Sequence, residues 1–163
     1  MEQKKETLRP LAPAVKTVWR IKLGLFWLLL LGGTAAFEII GYVGGQDSWL
    51  PRGSTPLLAL VIGSAVTILL PSLRYRFWRF DLRPEELYLE RGIFNRVRTI
   101  VPLRRIQHLD VSQDIIEREF DLGKLIVHTA GSRSSEVVLP GLLYNEAQAL
   151  RDELRHYVLE DVV

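Results

Sequence analysis

The stretch "VPLRRIQHLD", Val101 to Asp110, places two arginines, a histidine and an aspartate within ten residues. Such a set could move a proton or hold a phosphate. His128 and His156 complete the histidines, and His108, His128 and Asp110 together could reach toward a metal ion. A metal site needs about three converging ligands with outer hydrogen-bonded support. Two strand histidines on a polar face satisfy the same pattern without one. Arg104 and Arg105 could contact anionic lipid or a phosphate. Neighbouring strand residues point to opposite faces, so both line one surface only if a turn places them; Pro102 makes such a turn plausible.

No cysteine occurs among the 163 residues, which removes disulfides, zinc–thiolate sites and a thiol nucleophile. There is no Gly-rich phosphate loop, no G-x-S-x-G and no H-E-x-x-H. No catalytic residue, cofactor or metal is therefore expected, and the reading is non-enzymatic. The formal charge is only +2, but it is distributed unevenly. Residues 1–22 hold six Lys/Arg against Glu2 and Glu6; residues 74–163 hold 14 Lys/Arg against 15 Asp/Glu. A region of net −1 lacks the broad basic face that nucleic acid requires.

Between these regions lie two long apolar runs. Leu23–Val43 has 21 residues, a helix of roughly 31 Å, close to the hydrocarbon thickness of a bilayer. The second run lies within 53–73, with no charge between Arg52 and Arg74. A buried soluble hairpin is the plainer alternative, but the rest of the chain is too small to wrap two such helices. A cleaved signal peptide would have a shorter apolar run. The expected organisation is a basic segment at 1–22, spans at 23–43 and 57–73 joined by the loop 44–56, a domain at 74–158 and a tail at 159–163. Both outer flanks are basic, so the positive-inside rule places both termini in the cytoplasm of a multi-pass cell-membrane protein. Tyr42 and Trp49 suit the outer interface; Trp19, Tyr75 and Trp78 suit the inner one. Glu38 reads as an interfacial acid or, alternatively, as part of an ion path. Gly32, Gly33 and Gly63–Ser64 could let helices pack closely.

Beyond the spans, the apolar period changes from that of a membrane helix to two. Strands are expected at "YRFWRFDL", "ELYLERG", "RVRTIV", "RIQHLDVSQ", "LGKLIVHTA" and, after the turn "AGSRS", "SEVVLPG". A closing helix is expected with Asn145 as N-cap and Gln148 three residues on. Its apolar stripe is Ala147, Leu150, Leu154 and Tyr157/Val158. The segment "DIIEREFDLG" reads as a turn that tucks Ile115, Ile116 and Phe120 inward, or presents them to a partner.

"RIQHLDVSQ", "REFDLGKLIVHTAG" and the terminal "EAQALRDEL" carry a resemblance. Together they resemble the bacterial pleckstrin-homology-like domain, and more narrowly the membrane family in which two N-terminal spans precede one such domain. The resemblance implies an α-helical membrane hairpin plus a mainly-β domain: an open barrel or sandwich of about seven antiparallel strands closed by one C-terminal helix. It also implies a binding or assembly module in a membrane complex, serving envelope maintenance or stress resistance. The partner would be a larger membrane protein with several such domains, or a second copy of the chain.

Binding of anionic lipid or a small ligand is the other reading. Its contacts would be Arg74, Arg76, Trp78 and Arg79 below the second span, with Arg104 and Arg105. Juxtamembrane basic residues gain about 1 kcal/mol each near anionic lipid, although topology anchoring, which every such protein needs, is the plainer explanation of them. The first hairpin turn, "DLRPEE", sets one arginine against three acids, which does not suit an inositol phosphate.

Overall fold

A computed structural model describes residues 8–45, 47, 50–130 and 136–160. The side chains of 158–160 are outside that description. Trp49, the turn residues 131–134 and the Val158 side chain therefore lie outside the described residues. The chain divides into two compact units. One is Trp19–Ser72; the other is built from the described parts of Met1–Val18 and Leu73–Val163.

The first unit is a helical hairpin. Helix α1 spans Val15–Val43 and helix α2 spans Ser54–Phe77, and both are long and apolar enough to cross a membrane. Large apolar side chains such as Leu29, Phe37, Ile40, Leu57 and Leu69 are exposed all round, as expected of helices whose solvent is lipid. The helices run antiparallel. The Arg20 guanidinium donates to Ser72 Oγ at 2.9 Å, and Trp27 packs on Gly63 farther along. A Cβ at Gly63 would lie 2.9 Å from the indole, so glycine is what lets that ring seat. Gly32 and Gly33 have open space beside them. Pro71 lies inside α2 without ending it.

The second unit holds two three-stranded antiparallel sheets. The first is β1 (Arg79–Leu82), β2 (Glu86–Arg91) and β3 (Val97–Pro102) in that order. The second is β4 (Ile106–Ser112), β5 (Leu122–Thr129) and β6 (Glu136–Leu143). Helix α3 (Ile115–Glu119) joins β4 to β5, and helix α4 (Tyr144–Glu160) closes the chain. Leu87, Leu89, Val101, Leu122, Leu125, Val127 and Leu139 supply the buried faces. Ala147 and Leu154 bury the inner stripe of α4, and Gly123 admits its first turn, because a Cβ there would press on Tyr144.

Several expectations are corrected. There are six strands among the described residues rather than about seven, and they form two open three-stranded sheets. The strand expected from Tyr75 begins only at Arg79. Tyr75–Phe77 instead continue α2, since extending an existing helix is far cheaper than starting a strand. Helix α4 starts at Tyr144 rather than being capped by Asn145; Leu143 N–H donates to the Glu146 carboxylate at 3.4 Å. Ile115 is 84% exposed rather than tucked inward. It caps nothing itself: Asp114 and Glu117 form the capping box that starts α3, exchanging bonds of 2.9 and 3.0 Å.

The segment before α1 belongs to this second unit. Arg9 and Phe80 exchange both backbone bonds, at 2.8 and 3.1 Å, which pairs the outer edge of β1. Ala12 N–H donates to Gly141 O at 2.8 Å. Leu11, Val15 and Val18 are fully buried. Gly141 sits in a bulge of β6, where Pro140 and Gly141 together oppose Lys124. Its φ is +66°, and a Cβ would lie 2.5 Å from Val15 Cγ2. Gly141→Ala therefore adds left-handed strain and a collision. It should lower unfolding stability by at least about 2 kcal/mol, read from thermal melts of the detergent-solubilised chain.

Candidate functional site

The end of α2 and the first sheet build a basic surface. Antiparallel register aligns Arg79, Glu90 and Arg98 across β1, β2 and β3, on one face of the sheet. Arg96, just before β3, places Nε 3.0 Å from Glu90 Oε1, and Arg98 Nε lies 4.0 Å from the same oxygen. A cavity of about 300 Å³ is lined by Arg76, Phe77, Arg79, Glu90, Gly92 and Arg96. One carboxylate thus stands among four guanidinium groups, an arrangement that attracts anions.

Arg79 has a second task. Its Nη1 donates to the carbonyls of Trp78 (2.6 Å) and Tyr75 (3.3 Å), satisfying acceptors at the C-terminal end of α2. Tyr75 in turn carries the Lys16 ammonium over its ring at 4.8 Å. Trp78 is only 4% exposed, with the Arg91 guanidinium 5.9 Å above its ring; its indole belongs to the core. Arg74 and Arg76 are both exposed.

Arg104 and Arg105 lie elsewhere on this unit. They occupy a 3-10 turn, Leu103–Arg105, after β3. The strand runs from Val97 to Pro102, a separation of roughly 17 Å from the Arg96 end. Leu103 is buried as the turn's anchor while both arginines are exposed. The turn therefore presents the pair together, which a strand could not do, but away from the Arg76 cavity.

In the first hairpin turn, Arg83 is held internally. It contacts Glu86 Oε1 at 2.5 Å and Asp81 Oδ2 at 3.5 Å, and lies over the Tyr88 ring. The hydrogen bond it donates to Glu86 raises its already high pKa further, so it stays charged and engaged.

The structure does bring His108, Asp110 and His128 together. His108 and His128 are direct cross-strand partners. Each directs Nε2 to a different oxygen of Asp110, at 3.0 and 3.1 Å. The carboxylate bridges the two imidazoles, whose ring centroids lie 5.7 Å apart. Among the described residues no group of three such side chains is arranged to hold a metal ion.

Glu38 has a specific local role that its sequence position did not disclose. Its Oε2 accepts from Gly53 N–H at 2.6 Å; its Oε1 accepts from Thr55 Oγ1 at 2.7 Å and Thr55 N–H at 3.3 Å. Helix α2 starts at Ser54, so Glu38 satisfies N–H groups left open by the first turn. Its negative charge also faces the positive end of the helix. The pairing of an acid in one span with a Gly–Ser–Thr start of the next was the available signal.

The family model described as "Bacterial PH domain" matches residues 22–158. The chain is 30% identical over 146 residues to the UPF0699 transmembrane protein YdbS of Bacillus subtilis (strain 168), covering 88% of each. It is also 26% identical over 81 residues to the UPF0699 transmembrane protein YdbT of the same strain. That match takes 49% of this chain but only 16% of the relative. No solved structure matches the chain.

Glu38→Ala should lower the thermal stability, as losing an N-cap does. Glu38→Gln, which keeps an acceptor, should cost less. Thermal unfolding in one detergent, followed by far-ultraviolet circular dichroism, separates the two variants.

Proposed function

The chain belongs to the bacterial PH domain family of membrane proteins, and from that membership we propose a non-enzymatic assembly module for it. In this reading the protein crosses the membrane twice with both termini in the cytoplasm. Its PH-like domain docks on a larger membrane protein containing related domains, and the complex serves envelope maintenance or stress resistance. The observation that carries the reading is the unequal match to YdbT: half of this chain corresponds to a small fraction of a much longer relative. A shorter relative, YdbS, occurs in that same strain. Related domains on a short and a long protein offer matching surfaces for association. Ile115, held outward on the capped helix α3, is one side chain available for such a contact.

Crosslinking in native membranes, followed by identification of neighbours, tests this assignment. The expected outcome is a reproducible adduct with a larger PH-domain membrane protein. A chain that stays monomeric at native expression, with no stable neighbour, would count decisively against it.

The four guanidinium groups around Glu90 favour a second reading, in which the same domain engages anionic lipid. Each basic residue near an anionic surface contributes about 1 kcal/mol. Binding to the folded state raises its stability. The full chain should therefore melt several degrees higher in nanodiscs containing phosphatidylglycerol than in phosphatidylcholine discs. Added salt should shrink the difference. Replacing Arg76, Arg96 and Arg98 with Gln should remove most of it. Equal melting in the two lipids would sink this reading.

A further inference from the structure

The β2–β3 hairpin ends in "GIFNR", Gly92 to Arg96, and Phe94 at its apex is 99% exposed. Leaving such a ring in water forgoes the free energy that its burial would contribute. The turn is built to keep it out. Gly92 has φ +117°, and a Cβ there would collide with the Asn95 carbonyl, so this tight turn is reserved for glycine.

The surroundings of the ring point to its counterpart. Asn95 beside it is exposed, as are Arg91, Arg96 and Arg98 at the ends of the two strands. Glu90 is the carboxylate that Arg96 and Arg98 share, so the hairpin end keeps a net positive charge. Gly92 and Arg96 line the same cavity as Arg76 and Phe77, which are in the last turn of apolar helix α2. The hairpin base is thus continuous with the chain where it emerges from the bilayer. A single aromatic ring among guanidinium groups suits the headgroup–acyl boundary, where aromatic rings and basic side chains both find partners. A protein-docking patch is normally a wider apolar area.

We propose that the β2–β3 hairpin is a lipid-inserting tip. Phe94 enters the boundary of an anionic leaflet, and Arg91, Arg96 and Arg98 engage its phosphates. The proposal rests on the lipid reading above and adds to it an element, an insertion depth and an apolar contribution. It gives the domain a contact with the membrane besides its covalent connection to the spans.

The absence of cysteine from the sequence makes the test direct. Phe94→Cys and, for comparison, Ile115→Cys are each labelled with an environment-sensitive fluorophore in the full chain. The chain is placed in nanodiscs of equal parts phosphatidylcholine and phosphatidylglycerol. Nitroxide-bearing lipids then report depth. The label at position 94 should shift to the blue and be quenched most by shallow nitroxides, at least about threefold more than the label at 115. Quenching should fall in phosphatidylcholine-only discs.

Equal quenching at the two positions would overturn the proposal. So would a blue shift at 94 without lipid quenching, which places the ring on protein. Undiminished quenching in neutral discs would overturn the anionic-lipid assignment. If anionic lipid still raises the melting temperature while the label at 94 stays in water, the charge-based lipid reading stands and the insertion proposal falls.

Discussion

The paired backbone bonds between Arg9 and Phe80 hold together a unit whose parts are far apart in sequence. Residues 8–18 precede the membrane hairpin, while the sheets follow it. Without that pairing, β1 is an open edge beside a small sheet, the situation in which strands recruit unwanted neighbours. Leu11, Val15 and Val18 add a buried apolar face to the same segment. Gly141 makes their seat possible because a bulged, left-handed glycine leaves room for the Val15 side chain. The domain is therefore discontinuous, with two helices long and apolar enough to cross a membrane inserted in it. Closing it requires an entropically costly long-range contact before its local gains are realised.

Charge is handled differently in the two units. In the hairpin, Glu38 is matched by the N–H groups and hydroxyl at the start of α2. An acid that looks expensive in an apolar helix is thereby engaged by groups that are themselves costly to leave unpaired in lipid. In the domain, guanidinium groups outnumber the carboxylates near the end of α2. Arg79 closes that helix by binding its carbonyls, while Arg76, Arg96 and Arg98 surround Glu90. This surplus is local; residues 74–163 as a whole carry slightly more acid than base.

Much of the architecture was readable because each element has its own period. The spans announce themselves by length and lack of charge, and both are helices. Alternation at Leu87/Leu89 and Leu125/Val127 marks buried strand faces, and these residues are among the most buried in the domain. Alternation misled at Tyr75–Phe77. Arg and aromatic residues alternate there as in a strand, but α2 is already propagating, and helix extension outweighs a weak local β preference. The candidate arginines were legible as types but not as a constellation. Arg74, Arg76 and Arg79 could be singled out by position, whereas Glu90, Arg96 and Arg98 reach the same surface through strand register.

The sequence by itself determined the two apolar helices, the strand-rich domain after them, the closing amphipathic helix and the membership of the bacterial PH domain family. These depend on composition and short periods, which are local properties of the chain. Tertiary structure decided which distant groups meet: Arg9 with Phe80, Val15 with Gly141, Glu38 with Thr55, and His108 with His128. It also decided that Trp78 is core and Phe94 is exposed, although both are aromatic residues beside arginines. The physical reason is that burial and pairing depend on register, turn geometry and the approach of segments tens of residues apart. None of these is fixed by the identity of the neighbouring residues alone.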